Sequence, residues 1–186
     1  MNFSIFANER VEADVLYTRQ LLEFGINGNL TQVGEEVKID KTAASATYFR
    51  EIGLGFAGTI PQYKMSIGAR VKYLQGFANA STSNYTARLT TNNVDYRLDL
   101  DLENAALRTS GFDIMQGKTG NIGTHLINNQ NKGFSTDLGF SMELNRYMNV
   151  SASITDIGFI SWKEDITNHT IPDTVMRYSG LDLREP

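Results

Sequence analysis

Apolar and polar side chains alternate along residues 47–80, and the alternation is interrupted only by a very short connection at Pro61 and Gln62. One parity is apolar in both halves: Ile52, Leu54, Phe56 and Ile60, then Met65, Ile67, Ala69, Val71, Tyr73 and Phe77. The other parity carries glycines, hydroxyls and charges. Since successive side chains of a strand point to opposite sides of a sheet, the pattern predicts a β-hairpin with one apolar and one polar face.

A second stretch, residues 133–162, repeats this design. Its alternation runs to a tight turn predicted at Asn145 and Arg146, and then resumes from Met148. The residues Asp156, Ile157 and Gly158 break the alternation, which predicts a β-bulge before the final apolar residues. The stretch therefore predicts a second two-faced hairpin.

Further alternation at residues 94–103 predicts a third long strand, and a short strand is expected at 85–89. Counting strand directions places the short connections at one end and the long segments 104–132 and 163–174 at the other. Outer-membrane barrels show this asymmetry of short turns and long loops. We therefore predict an all-β fold, an antiparallel up-and-down transmembrane β-barrel or a partial barrel.

One helix is expected near residues 14–24, because its apolar residues fall near one side and Asp14 is a suitable N-cap. Gly25 and Gly28 are candidates for its end. The preceding apolar run, Phe3 to Ala7, predicts only the end of a strand. We expect the helix to pack on the barrel or its mouth.

Composition narrows the class of protein. The chain of 186 residues has a net charge of −4, which gives no basic field for nucleic acid. It has no cysteine and no apolar run of about 18 residues, so neither disulfides nor a transmembrane helix is expected. Its first residues lack the basic and apolar pattern of a leader peptide. The chain is therefore expected to be a mature form or an internal fragment. Since a barrel strand cannot be left as a free edge in lipid, residues 1–186 are expected to be a single β-barrel domain that is a fragment of a longer barrel.

The polar faces of the two hairpins hold the candidate site. Their charged side chains are expected to face the lumen: Glu51, Arg70, Lys72, Asp137 and Glu143. Cross-strand charge pairing and a selectivity lining are both open interpretations of this set. Aromatic residues near the strand ends are expected at the membrane interfaces: Tyr63, Tyr73, Tyr147 and Trp162, with Phe77 as an alternative to Tyr73.

Catalytic chemistry is not expected. The two histidines, His125 and His169, lie in polar segments without partners at ligand spacing, and solvated loop positions are predicted for both. Asp99, Asp101 and Glu103 share a strand face, but they lack the glycine of a calcium loop. A solvated or lumen-facing charged strand is the preferred interpretation, and no catalytic residue, metal or cofactor is expected.

Two strings, GARVKYLQG at Gly68–Gly76 and ITDIGFISW at Ile154–Trp162, carry a resemblance. With the strands between them, over most of residues 45–165, they resemble an uncharacterised family of Bacteroidota outer-membrane β-barrels, known only as a domain of unknown function. In architecture that family is similar to FadL-like transporters of hydrophobic compounds and to the PorP/SprF-type barrels linked to type IX secretion and gliding. The resemblance implies a cell outer-membrane location in a Gram-negative bacterium and no known catalytic residues.

Three functional hypotheses follow. The first is an outer-membrane barrel that passes or binds a small hydrophobic solute. The second is a non-transporting barrel that anchors a secretion or surface-attachment machine, with surface or secretion proteins as partners besides the lipid bilayer. The third and weaker hypothesis is a soluble all-β binding domain, which would bury Ile52, Phe56, Ile67 and Val71.

Overall fold

A computed structural model describes residues 1–28, 33–39, 42–82, 85–118, 120–127 and 130–179. Of these residues 65% are in strands, and the pairing is mostly antiparallel. The strands are β1 (Asn2–Leu16), β2 (Glu36–Lys38), β3 (Ala43–Ile60), β4 (Met65–Thr82), β5 (Thr86–Thr91), β6 (Leu98–Glu103), β7 (Ala106–Ser110), β8 (Lys132–Asn145), β9 (Met148–Ser161), β10 (Ile166–Thr170) and β11 (Thr174–Tyr178). The predicted all-β class is confirmed.

The chain divides into two compact units. The first unit contains Met1–Glu12, Thr47–Asn79 and Ser110–Ile166, and the second contains the remaining residues, beginning with Ala13–Ala46. The two sheets are not closed into a barrel within the part of the chain that the structure describes.

The sheet of the first unit has the strand order β1-β3-β4-β8-β9. Both predicted hairpins are present, joined by a 3-10 turn at Pro61–Tyr63 and by a tight turn after Asn145. The expected up-and-down order fails after β4, however, because β4 pairs with β8 over Met65–Gln75 and also pairs with β7. β4 and β8 are far apart in sequence, so the alternation within either hairpin could not predict that these two strands pair.

The N-terminal region departs from its prediction. β1 is 15 residues long and continues through Leu16, whereas the sequence predicts only a short strand end. The helix α1 spans Arg19–Asn27, not 14–24, because Thr18 caps it by accepting a hydrogen bond from the Leu21 N–H. Gly28 ends it with a positive φ of 72°, as one of the two glycine candidates.

Two further helices lie in the segment for which the sequence predicts only a loop. They are α2 (Phe112–Met115) and α3 (Ile122–Ile127). The described residues of 110–131, namely 110–118, 120–127 and 130–131, are hereafter the docked segment; they hold short helices around buried Ile114 and His125. Among the described residues, no helix has both the length and the apolar character needed to cross a membrane.

The second unit contains a four-stranded antiparallel sheet in the order β11-β6-β5-β2. Its apolar side buries Val37 and Ala87. The strand predicted over 94–103 begins only at Leu98, because the Asn92 side chain accepts hydrogen bonds from the N–H groups of Val94 and Asp95 and holds a turn there.

Candidate functional site

In the first unit several charged side chains are buried and many large apolar side chains are exposed, which is the reverse of the usual pattern in a soluble domain. Glu51, Lys72 and Asp137 are only 4%, 3% and 7% exposed. They share one side of the sheet, which we call the inner face, with the even-numbered residues of β1 from Ser4 to Glu12. Buried charges of this kind are uncommon and need close partners.

The opposite side, the outer face, is apolar and largely uncovered. Leu54, Val71 and Phe159 are 63%, 62% and 67% exposed. Many more large apolar residues of this face are also exposed: Phe3, Ile5, Val11, Ile52, Ile67, Phe134, Leu138, Phe140, Val150, Ile154 and Ile157. A monomeric protein in water rarely exposes so continuous an apolar surface.

Lys72 is the centre of an ionic cluster on the inner face. Its Nζ lies 2.7 Å from Asp137 Oδ1, 2.6 Å from Asp156 Oδ1 and 3.9 Å from Glu51 Oε2. Three carboxylates thus surround one buried ammonium group. With Arg10, these residues form what we call the charge cluster.

Arg10 closes the cluster from the other edge of the sheet. Its Nη1 donates to Glu51 Oε2 at 3.3 Å and to Asp156 Oδ1 at 3.1 Å. β1 and β9 are four strand spacings apart in the sheet order, roughly 19 Å if the sheet were flat. Because an arginine side chain cannot span that distance, the sheet of the first unit curls so that its inner face is concave.

A β-bulge delivers Asp156 to the cluster. The β8–β9 register shifts between Thr136 and Leu138, at the position where a bulge was predicted, and Asp156 has a φ of 60°. Its N–H donates to Asp137 Oδ1 at 2.8 Å while its carboxylate accepts from Lys72. The bulge therefore places an additional carboxylate against the buried ammonium group.

Space remains on the inner face beside the cluster. A cleft of about 210 Å³ is lined by Glu12, Phe49, Asp156 and Trp162, among others. Nearer the short-turn end lies a groove of about 620 Å³, lined by small residues such as Gly68, Gly139 and Ser153 and also by the apolar side chains of Phe3, Phe56, Ile67, Leu138 and Phe140. Small side chains and charges occupy much of the inner face, while the apolar residues Phe49 and Leu74 are buried beside the cleft.

A family model, described as "Family of unknown function (DUF5723)", matches residues 1–186. The chain belongs to DUF5723. No curated protein and no solved structure matches it. Membership in a family of unknown function is therefore confirmed, and the link to Bacteroidota and to other barrels stays a prediction.

The structure of this DUF5723 chain brings together four of the five predicted lumen-facing residues. Glu51, Lys72 and Asp137 belong to the charge cluster, and the Arg70 guanidinium lies 3.8 Å from Asp137 at its border. Glu143 lies apart and faces Lys64 Nζ at 3.6 Å. These ion pairs agree with the interpretation of the five residues as cross-strand charge pairs, while a role in selectivity stays a prediction.

The four candidate interface aromatics occupy different environments. Tyr63 and Tyr147, near the short turns, are 61% and 94% exposed. Tyr73 is half-buried on the outer face against Phe134, with ring centroids 5.8 Å apart. Trp162 lies on the inner face, where a Cβ added at Gly76 would come within 2.6 Å of its ring. Their membrane-interface role stays a prediction.

Sequence reasoning missed the contribution of β1. Asn8 Nδ2 donates to Glu51 Oε1 at 2.9 Å, and Arg10 also binds Glu12 at 2.6 Å. The information was present, because residues 3–15 alternate like the other strands. Glu9, a charge on the apolar parity, interrupts the pattern, and the structure pairs it with Arg50 and Tyr48 on the outer face.

The carboxylates of the acidic strand β6 are paired with arginines. Asp101 and Glu103 both accept from Arg88, and Asp99 accepts two hydrogen bonds from Arg97. Among the described residues, no group of three or more acidic or histidine side chains is arranged to hold a metal ion. The hydrogen bonds from Arg97 hold the pKa of the Asp99 carboxyl below its ordinary value.

Removal of the Arg97 guanidinium should reverse the lowering of the Asp99 pKa. We expect Arg97→Gln to raise the pKa of Asp99 toward its ordinary value, measurable by carboxyl ¹³C NMR titration. A lowered pKa means that the ion pair stabilises the fold above the ordinary aspartate range, and that this contribution is lost as pH falls through the folded-state value. An unchanged Asp99 titration in the variant would contradict this assignment.

His125 is not the solvated histidine that was predicted. It is 2% exposed, and its Nε2 lies 2.8 Å from the Phe77 carbonyl oxygen. Phe77 itself is fully buried beneath the docked segment, so it is not an interface aromatic. His169 is exposed as predicted, but it lies in the strand β10 and not in a loop.

Proposed function

We propose that this chain forms part of the wall of an outer-membrane β-barrel, with its outer face on lipid and its inner face lining a polar interior. The observation that carries the proposal is the inversion of burial: large apolar side chains are exposed while Glu51, Lys72 and Asp137 are buried. Membrane barrels alternate apolar lipid-facing and polar lumen-facing residues in this way.

The length of the strands supports the same placement. A transmembrane strand needs about 9–11 residues. β8 and β9 have 14 residues each and β3 and β4 have 18 each, so all four exceed that length. The four-stranded sheet of the second unit, with strands of three to six residues, is not assigned to the bilayer.

The soluble alternative predicted buried side chains that the structure exposes. Ile52, Ile67 and Val71 are 45%, 38% and 62% exposed, and Phe56 is half-buried. In water this surface would be costly, at roughly 25 cal/mol for each Å² of apolar area. A bilayer removes this cost without any change in the sheet.

For the interior we propose passage or binding of a small solute. The concave inner face and the cleft beside the charge cluster support this role over that of a filled structural wall. Ion conductance or solute uptake in liposomes supports transport. Sealed liposomes together with specific co-purification of surface proteins would favour the anchoring role instead.

Neighbouring residues of β4 test the lipid-facing orientation directly. The chain has no cysteine, so single cysteines at Val71 and Arg70 can each be labelled with a polarity-sensitive fluorophore in lipid vesicles. We expect the Val71→Cys label to be quenched by brominated lipid and the Arg70→Cys label to be quenched by a water-soluble quencher. The two positions are a matched pair because both are exposed. Val71 is 62% exposed as a whole residue, and the Arg70 side chain is 60% exposed.

The opposite outcome is equally clear. Equal quenching of both labels by the water-soluble agent, with none from brominated lipid, would mean that the outer face is not on lipid. A chain that stays monodisperse in buffer without detergent would point the same way.

A further inference from the structure

The docked segment is held to the sheet of the first unit by a buried histidine. His125, in α3, is 2% exposed, and its Nε2 lies 2.8 Å from the carbonyl oxygen of Phe77 in β4. A carbonyl oxygen only accepts hydrogen bonds, so Nε2 carries the hydrogen. In the neutral ring Nδ1 is therefore a bare acceptor.

That bare acceptor faces another acceptor. His125 Nδ1 is buried without a hydrogen-bond partner, and Glu164 Oε2 lies 3.4 Å away. The same Oε2 already accepts from the N–H of Gln130 at 3.0 Å. An ionised carboxylate has no hydrogen to offer, so the neutral histidine leaves one missing hydrogen bond at the centre of the contact.

Other polar groups of the contact do have hydrogen-bond partners. Asn131 is completely buried, and its Oδ1 accepts from the N–H groups of Lys163 and Glu164 at 2.8 and 2.9 Å. Ser110 Oγ donates to the Glu164 carbonyl at 2.7 Å. The Asp165 carboxylate caps α2 by accepting from Asp113 and Ile114.

One cation approaches from β3. The Arg50 guanidinium donates to the Leu126 carbonyl at 3.2 Å and lies over the Phe77 ring, but it is paired with Glu9 of β1. Among the described residues around the imidazole, Glu164 is the carboxylate within ion-pair distance. The charge of Arg50 is thus neutralised by Glu9, and the Glu164 carboxylate can pair with a protonated His125 ring.

We propose that the His125–Glu164 pair is a pH-dependent latch for the docked segment. On acidification Nδ1 takes up a proton and donates it in a charge-assisted hydrogen bond to Glu164 Oε2, while Nε2 keeps its bond to Phe77. The contact that lacks one hydrogen bond at neutral pH is complete at acidic pH. The inference concerns the docked segment alone, so it does not depend on whether the outer face lies on lipid.

Amide hydrogen exchange of the full chain tests the latch. We expect the protection factors of the Met115, Gln116 and His125 amides, which donate hydrogen bonds within the docked segment, to rise at least tenfold from about pH 8 to about pH 5 after correction for intrinsic rates. Glu164→Gln should remove most of this response, because an amide N–H donates to neutral Nδ1 at either pH. His169→Gln, at an exposed histidine, should keep the full response.

A second readout requires no variant. The ¹⁵N shifts of the His125 ring should report Nδ1 as unprotonated at about pH 8 and as protonated at about pH 5, with Nε2 protonated throughout. A ring that stays singly protonated across this range overturns the proposal. So does unchanged protection in the wild-type chain, or a Glu164→Gln variant that responds to pH as the wild type does.

Discussion

Replacement of Lys72 by methionine should lower the free energy of unfolding by about 3–5 kcal/mol at neutral pH. Lys72 is 3% exposed and lies within 4 Å of three carboxylates. Methionine keeps much of the volume but removes the charge. Glu51, Asp137 and Asp156 would then repel one another in a region poorly screened by water, with Arg10 and the bordering Arg70 as the remaining cations.

Urea denaturation followed by Trp162 fluorescence, in one detergent for all variants, measures this loss. Lys64→Met is the matched control, since Lys64 is 62% exposed and its Nζ lies 3.6 Å from a half-exposed Glu143. We expect the control to change stability by less than about 1 kcal/mol. The Lys72 variant should recover partly on acidification, because protonation of a carboxylate removes repulsion. Equal, small effects of the two substitutions would mean that the ion pairs of the charge cluster do not stabilise the fold.

Gly133→Ala should break the start of the β8–β9 pairing. A Cβ at Gly133 would lie 1.9 Å from the Phe159 carbonyl oxygen and 2.8 Å from the Ile160 Cα, which are both backbone atoms of the neighbouring strand. Backbone atoms in a ladder cannot rotate away as a side chain does. We expect a loss of about 1–3 kcal/mol in the free energy of unfolding.

Gly139→Ala, in the same strand, supplies the control with the opposite sign. Its Cβ would meet Ser153 Cβ at 3.5 Å, an ordinary contact. Since glycine in a strand interior is less favourable than alanine, this variant should gain about 0.5 kcal/mol. Denaturation of both variants under the same conditions measures the difference. A Gly133→Ala variant as stable as the wild type would require the two strands to separate more widely than described.

The two hairpins were predictable because their information is local. Alternation fixes which side chains share a face, and short connections at Pro61 and after Asn145 fix the pairing of neighbouring strands. For this reason alternation alone places Glu51, Arg70, Lys72 and Asp137 correctly on one face. The bulge at Asp156 was readable from the broken alternation, although its role as a partner of Lys72 was not.

The pairing between hairpins could not be predicted in the same way. Met65 pairs with Met142, and nothing within either strand specifies so distant a partner. The burial of His125 likewise depends on Phe77 and Glu164, which lie 48 residues before it and 39 after it in the sequence. Local polarity made its segment look like a solvated loop. The burial follows from tertiary contacts that no window of sequence contains.

The Arg10–Asp156 contact has a consequence for the order of folding. The two side chains are 146 residues apart in sequence, whereas β8 and β9 are joined by a tight turn. Closing a long loop costs more chain entropy than closing a short one, so the β8–β9 ladder should form early and the docking of β1 late. Until β1 arrives, Glu51 lacks both Asn8 and Arg10, and the three carboxylates around Lys72 are incompletely neutralised. The first strand of this sheet in the chain would therefore be the one whose late arrival adds the second cation, Arg10, to the charge cluster.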